Sequence, residues 1–82
     1  MSVEETLKKI VTRITRKPES AFSPETTFEE LDADSLDIVQ MLVALEDTYG
    51  IEIQDEDLQG IKKMGDFVAY VERKINEKGK QA

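Results

Sequence analysis

The sequence predicts an all-α fold with three main helices and one short helix. Apolar residues recur at spacings of three and four along three segments of the 82-residue chain, which is the spacing of a helix face. Capping residues precede these segments, and proline or glycine follows two of them. The alternating residues 51–53 are too few for a strand. We therefore expect one domain over residues 1–78, with residues 79–82 as a frayed tail.

The first predicted helix begins at Ser2 and ends near Lys17, before Pro18. Ser2 and Glu5 form a capping-box pattern. The apolar stripe of this helix consists of Val3, Leu7, Ile10, Val11 and Ile14. From Pro18 to Ala33 the periodicity is lost, and a long loop is expected. Three apolar residues of the loop need burial: Phe22, Phe28 and Leu31. Long loops that are pinned to a core in this way tend to be functional.

The second predicted helix runs from Asp34 to Tyr49. Asp34 is a good N-cap, Asp37 suits the positive end of the helix dipole, and Gly50 stops the helix. Apolar residues that cluster on one arc of the helical wheel form its core face: Ile38, Met41, Leu42, Leu45 and Tyr49.

Leu36 and Val43 lie on the opposite side of this helix, one heptad apart. They share that side with Gln40 and Asp47. Val39 lies at the border beside Glu46. A small apolar patch flanked by acids is typical of a docking surface for another protein, although scattered surface apolar residues are also normal.

A short helix and a last main helix complete the predicted fold. The acidic start at Asp55 favours a short helix that ends at Gly60. Asp66 lies near the start of the last helix, and Lys74 and Lys78 lie near its end. The apolar stripe of the last helix consists of Met64, Phe67, Val68, Val71 and Ile75. Beyond Asn76 the residues are expected to be frayed.

The chain contains no cysteine and no histidine. Disulfides and thiolate metal sites are therefore excluded, and the usual base that activates a serine nucleophile is missing. No apolar run approaches the roughly 20 residues that span a bilayer, and the N-terminus does not resemble a secretory signal. We expect a cytoplasmic protein that is not an enzyme and does not insert stably into membranes.

The net charge of −7 is unevenly distributed. Residues 18–61 contain thirteen acids and no base, a charge of −13, whereas the two ends carry eleven bases and five acids, a charge of +6. Such an acidic middle repels nucleic acid and attracts basic partner surfaces over a Debye length of about 8 Å. Simple solubility is the alternative explanation of these acids.

Ser35 lies in the first turn of the second helix, where unpaired N–H groups and the helix dipole favour a phosphate, although a serine there is most often a cap. Its neighbours read Leu31-Asp32-Ala33-Asp34-Ser35-Leu36-Asp37, followed by Leu45-Glu46 and Tyr49-Gly50-Ile51. This pattern resembles that of the acyl carrier proteins, and the similarity runs from Leu7 to about Ile75.

The resemblance implies a right-handed four-helix bundle in which Ser35 receives 4′-phosphopantetheine from a coenzyme A-dependent transferase. Asp34 and Leu36, on either side of Ser35, are the further residues expected to bind the cofactor. The reactive thiol then comes with the cofactor, so the protein needs neither cysteine nor histidine. Acyl chains would be carried as thioesters and could enter between the helices. By position, the candidates to line such a cavity, or else to be ordinary core, are Leu45, Ile53, Leu58, Ile61 and Val68.

The resemblance also implies partners with basic docking surfaces, namely the phosphopantetheinyl transferase and acyl-transferring or synthase enzymes. The expected contact residues are Asp34, Leu36, Asp37, Val39, Gln40, Val43, Glu46 and Asp47. We expect a monomer that binds neither nucleic acid nor metal. Three positions depart from the family pattern: Asp32 replaces a frequent glycine, Gln40 replaces a common glutamate, and Lys62-Lys63 replace small or hydroxyl residues that usually cap the last helix.

Calcium binding, hydrolysis and adaptor function are the alternatives to the carrier. Asp55 to Gly60 followed by Asp66 resembles the front of an EF-hand loop, but Lys62 stands where an apolar residue belongs. A hydrolase would use Ser35 as its nucleophile, and nothing in the sequence activates it. An acidic helical adaptor is the alternative that needs no cofactor. For a carrier, fatty acid biosynthesis is the expected pathway, with polyketide, lipid A or aminoacyl transfer as the specialised alternatives.

Overall fold

Three α-helices and two short 3₁₀ helices make up the fold in the computed structural model, which describes residues 2–80. The α-helices are α1 (Val3–Thr15), α2 (Ser35–Tyr49) and α3 (Met64–Lys80), and the 3₁₀ helices are η1 (Glu19–Ala21) and η2 (Asp55–Gly60). The all-α prediction is confirmed. The short helix expected from Asp55 to Gly60 is present as a 3₁₀ helix.

Helix α1 begins as the sequence predicts and ends earlier than expected. Ser2 Oγ accepts a hydrogen bond from the Glu5 N–H at 3.1 Å, which is one half of a capping box. The helix stops at Thr15 because Arg16 adopts a left-handed conformation with φ of 61°. The Arg16 N–H donates to the Thr12 carbonyl, which closes the last turn.

The loop between α1 and α2 is held to the start of α3 by backbone hydrogen bonds. The Met64 N–H donates to the Thr26 carbonyl at 2.8 Å, and the Gly65 N–H donates to the Pro24 carbonyl at 2.9 Å. These two N–H groups belong to the first turn of α3, where N–H groups have no partner within the helix and commonly donate to a capping side chain. Loop carbonyls therefore take the place of a hydroxyl cap, so residues 62–63 can be lysines.

Apolar side chains of the same loop reach the core, as the sequence predicts. Leu31 is 1% exposed, and Phe22 and Phe28 are half-buried. The Phe28 ring lies 5.4 Å from the ring of Phe67, between centroids, at a tilt of 57°. The loop that leads to Ser35 is thus fixed to α3 by both side-chain packing and backbone hydrogen bonds.

Helix α2 buries the face that its helical wheel predicts. Met41, Leu42 and Leu45 are buried, whereas Ile38 and Tyr49 are half-buried at the two ends of the face. Gly50 ends the helix with φ of 64°, a left-handed conformation that glycine adopts without steric cost.

Helix α3 extends beyond the expected end at Asn76. It continues to Lys80, so Gly79 and Lys80, which the sequence placed in a frayed tail, belong to the helix. The apolar stripe stops at Ile75, but lysine and glutamate favour helix on an exposed surface, and the helix continues without core contacts. Residues 81–82 of the expected tail lie outside the described residues.

The buried residues form one apolar core to which all three α-helices contribute. Its most completely buried members are Leu7, Val11, Leu31, Met41, Leu45, Met64, Phe67 and Val71. Within residues 2–80, none of the helices is both long enough and apolar enough to cross a membrane.

Candidate functional site

Ser35 is the first residue of α2, and it is exposed. A complete capping box surrounds it: Asp34 Oδ1 accepts from the Asp37 N–H at 2.8 Å, and Asp37 Oδ2 accepts from the Asp34 N–H at 3.3 Å. The capping box leaves the N–H groups of Ser35 and Leu36 for an acceptor from outside the helix. An accessible hydroxyl beside free donors and the positive end of a helix dipole suits a phosphate ester. The residues present therefore fit a phosphate-linked group at this position.

An apolar ridge begins directly after Ser35 on the outer side of α2. It consists of Leu36, Val39 and Val43, which are 72%, 49% and 50% exposed. No other large hydrophobic side chain within residues 2–80 is exposed. Their spacing of three and four residues puts them on one side of the helix. The exposure that the helical wheel predicted for Leu36 and Val43 is confirmed, and Val39 extends the same ridge. The docking role of the ridge stays a prediction.

The polar residues expected to bind partners differ in their surroundings. Asp34, Gln40 and Asp47 are exposed, and Asp37 is half-buried in the capping box. Glu46 is also half-buried.

Glu46 has a role within the fold that the sequence did not indicate. Its Oε2 accepts a hydrogen bond from the Ile53 N–H at 2.9 Å. This contact ties the segment after α2 back onto the helix. No local pattern reveals it, because the two residues meet only through the path of the chain beyond Gly50.

A groove opens between α2 and η2 beside Ser35, with a volume of about 350 Å³. It is lined by Ser35, Ile38, Val39, Leu42, Asp55, Leu58 and Gln59. Among the five residues expected to line a cavity, only Leu58 lies in this groove. Leu45, Ile53 and Val68 lie in the apolar core, which is the other role that the sequence allowed them, and Ile61 lines a different groove.

That second groove lies between η2 and α3 and has a volume of about 440 Å³. Within it, the Tyr70 hydroxyl donates a hydrogen bond to Asp57 Oδ2 at 2.7 Å. The Arg73 guanidinium lies 5.5 Å from the centroid of the Tyr70 ring. Burial of Tyr70, followed by its hydrogen bond to Asp57 and the charge of that carboxylate, raises the pKa of Tyr70 to about 12.

Asp32 precedes the site in a left-handed conformation, with φ of 56°. Glycine adopts this conformation most easily, so the conformation agrees with the frequent glycine that the resemblance implies at this position. The departure from glycine was therefore a sequence signal for positive φ.

The EF-hand interpretation is not supported. Residues 55–60 form a 3₁₀ helix, and the Asp57 carboxylate accepts the Tyr70 hydroxyl. Over the described stretch from residue 2 to residue 80, no three acidic side chains are grouped so that they could hold a metal ion.

Comparisons with known proteins agree on one family. Residues 5–71 match a family model described as a phosphopantetheine attachment site. The chain is 43% identical over 75 residues to an acyl carrier protein of Nitratidesulfovibrio vulgaris, covering 90% of this chain and 99% of that protein. It is 42% identical over 77 residues to a meromycolate extension acyl carrier protein of Mycolicibacterium aurum, covering 93% and 78%. The solution structure of holo acyl carrier protein from Geobacter metallireducens superposes with a TM-score of 0.83 at 28% identity, covering all of this chain and 95% of that one.

Proposed function

Because the chain belongs to the acyl carrier protein family, we propose that it holds acyl intermediates as thioesters on a 4′-phosphopantetheine group attached to Ser35. Members of this family are carriers and not catalysts, and the group that they carry is covalently attached 4′-phosphopantetheine. When bound, that group supplies a thiol on a flexible arm, which this chain cannot supply because it has no cysteine.

The position of Ser35 is the observation that carries the proposal. Its exposed hydroxyl stands where α2 begins, between the capping aspartates and the apolar ridge. The free N–H groups of Ser35 and Leu36 would hold a phosphodiester at the helix N-terminus. The capping box fixes the backbone there, so the attachment point is presented in one orientation.

The outer side of α2 would serve as the docking surface for enzymes that load or use the carrier. Enzymes that interact with this family are the phosphopantetheinyl transferase, synthases and acyl-transferring enzymes. We propose that the apolar ridge of Leu36, Val39 and Val43 packs against them, while Asp34, Asp37 and Asp47 pair with basic residues. Gln40 would contribute a polar contact without charge, and Glu46 would offer the carboxylate oxygen that Ile53 does not use.

Loading with coenzyme A tests the attachment site. Purified protein is incubated with coenzyme A and a broad-specificity phosphopantetheinyl transferase, and the intact mass is measured. Ser35→Ala is the test variant, and Ser20→Ala is the matched control, because Ser20 is also exposed but lies in η1. We expect the wild type and Ser20→Ala to gain one phosphopantetheine and Ser35→Ala to gain none. A folded wild type that gains no mass would favour the acidic adaptor.

We further propose fatty acid biosynthesis in the cytoplasm as the pathway. In support, the chain is 43% identical to a protein of Nitratidesulfovibrio vulgaris that is named acyl carrier protein without a specialised product, whereas the meromycolate carrier's name gives one. The test is elongation of an acyl chain on the loaded protein by purified fatty acid synthase enzymes supplied with malonyl-coenzyme A. Failure of elongation, together with acceptance of a polyketide, lipid A or aminoacyl substrate, would assign a specialised pathway instead.

A further inference from the structure

Helix η2 is the most weakly packed wall of the groove beside Ser35. None of its residues is buried, and Leu58 alone is half-buried. Grooves of about 350 Å³ and 440 Å³ lie on its two sides, towards α2 and towards α3. Few apolar contacts and open space on both sides are the properties of a segment that can shift without disturbing the core.

The segments on either side of η2 are anchored. Before it, the Ile53 N–H is bonded to Glu46 of α2. After it, the Phe28 N–H donates to the Lys62 carbonyl at 3.1 Å, and α3 follows directly. Any shift would therefore be confined to η2 itself, between these two anchored segments.

One side chain from the core reaches η2 and holds it by a polar contact. Tyr70 lies on α3, where it is 5% exposed beside the fully buried Val71. Its hydroxyl donates to Asp57 in η2 at 2.7 Å. Within residues 2–80, no other hydrogen bond joins η2 to a side chain of an α-helix. A bond to a carboxylate is stronger than one between neutral groups, so it can outweigh the weak packing of η2.

We propose that Tyr70 is a positioning residue that, through Asp57, sets the position of η2 and hence the width of the groove beside Ser35. Leu58 is carried by the same turn of η2 as Asp57, so the hydrogen bond fixes the apolar wall that Leu58 contributes to the groove. The consequence for cargo rests on the proposed function. An acyl chain lying in the groove is shielded from water only while this wall is in place.

Amide hydrogen exchange of the unloaded protein tests the positioning role without any cargo. The reporters are the Asp57 and Ile61 N–H groups, which are bonded to the Gln54 and Leu58 carbonyls at 3.1 Å and 3.0 Å. In Tyr70→Phe these two amides should exchange about 3- to 10-fold faster, while the amides of α1 keep their rates. Tyr49→Phe is the matched control, and it should leave η2 unchanged. Equal acceleration throughout the chain, or none at η2, would overturn the proposal.

Substitutions at Asp57 separate the hydrogen bond from the aromatic ring. Asp57→Asn keeps an oxygen that can accept from the Tyr70 hydroxyl, and it should restore slow exchange relative to Asp57→Ala. In a double-mutant cycle, adding Tyr70→Phe to Asp57→Ala should produce little further acceleration, because the same bond is already lost. Independent, multiplicative effects of the two substitutions would contradict a shared contact.

Loaded protein then tests the link to cargo. A medium-chain acyl thioester on the wild type, Tyr70→Phe and Tyr49→Phe is followed by its rate of hydrolysis. We expect about 3- to 10-fold faster hydrolysis in Tyr70→Phe alone, in step with the exchange of η2. An unchanged hydrolysis rate despite fast exchange would separate η2 from cargo protection and overturn that part of the proposal. Failure to load the wild type would refute the proposed function instead, and the exchange result would stand.

Discussion

Lys17 Nζ donates to Asp32 Oδ2 at 2.9 Å and so links the segment after α1 to the turn that precedes Ser35. Asp32 holds that turn in a left-handed conformation, with φ of 56°. Aspartate tolerates this conformation better than most residues with a side chain, because its short polar group can bond locally. The pair shows how this chain accommodates a residue other than glycine three residues before its candidate attachment site.

Substitutions at Asp32 should separate the cost of the backbone conformation from the value of the ion pair. Asp32→Ala and Asp32→Gly both lose the bond to Lys17, but only alanine clashes in the left-handed region. We therefore expect Asp32→Ala to unfold with a free energy about 1 kcal/mol lower than that of Asp32→Gly. Urea unfolding followed by circular dichroism measures the difference. Equal stability of the two variants would show that the turn relaxes when aspartate is replaced.

Asp32→Asn and Lys17→Met isolate the ion pair itself. Asparagine retains the tolerance for positive φ, so any loss reports the charge. Because the Asp32 side chain is largely exposed, each substitution should change the free energy of unfolding by less than about 1 kcal/mol, and added salt should reduce the effect. A larger, salt-independent effect would indicate that the pair supports the turn through packing.

Local patterns predicted α2 and its two faces correctly. The capping role of Asp34, the stop at Gly50 and the exposure of Leu36 and Val43 depend on residues within a few positions of one another. Helical geometry converts such spacings directly into structure, so the residues around Ser35 could be placed from the sequence.

Contacts between distant segments could not be predicted in the same way. Tyr70 meets Asp57, and Glu46 meets Ile53, only after the chain has folded back on itself. The start of α3 is similar, because the carbonyls that serve its N–H groups come from the loop before α2. Any residue can supply a backbone carbonyl, so no pattern of side chains reveals such a cap.

Asp37→Lys should slow transfer of phosphopantetheine to Ser35 by about tenfold or more, because it reverses a charge beside the attachment site and weakens the encounter with a basic enzyme surface. The variant loses one half of the capping box, which costs about 1 kcal/mol and leaves the fold intact. The measurement is the rate of mass gain with a phosphopantetheinyl transferase at limiting carrier concentration.

Two further variants control for this effect. Glu72→Lys makes the same change in net charge at an exposed position on α3, and it should retain most of the transfer rate. Asp37→Asn keeps an oxygen that accepts from the Asp34 N–H but loses the charge. Its transfer rate should lie between those of the wild type and Asp37→Lys. Transfer by Asp37→Lys at the wild-type rate in moderate salt would contradict a docking role for Asp37.

Leu36→Ala and Leu42→Ala should separate docking from folding, since the two leucines lie on opposite faces of α2. Leu36 is 72% exposed, so its loss should change the free energy of unfolding by less than about 0.5 kcal/mol while slowing transfer to Ser35. Leu42 is 5% exposed, and its loss should cost about 2–5 kcal/mol. Urea unfolding and the rate of loading are measured on both variants. A Leu36→Ala variant that loads at the wild-type rate would rule out Leu36 as a contact for the transferase.

The hydrogen bond between Tyr70 and Asp57 should make part of the stability of the fold depend on alkaline pH. The pKa of Tyr70 is raised from 10.0 to about 12, so between these values the folded chain holds a proton that the unfolded chain releases. The stabilisation is fully present below pH 10 and is lost as the pH rises towards 12. Tyr70→Phe cannot ionise there, so its deficit relative to the wild type should shrink over this interval.

Urea unfolding of the wild type, Tyr70→Phe and Tyr49→Phe from neutral pH to pH 12 measures this dependence. At neutral pH we expect Tyr70→Phe to be about 1–2 kcal/mol less stable than the wild type, because the bond to Asp57 is missing. A deficit that stays constant up to pH 12 would mean that Tyr70 titrates alike in the folded and unfolded chains, and that burial and Asp57 do not hold its proton.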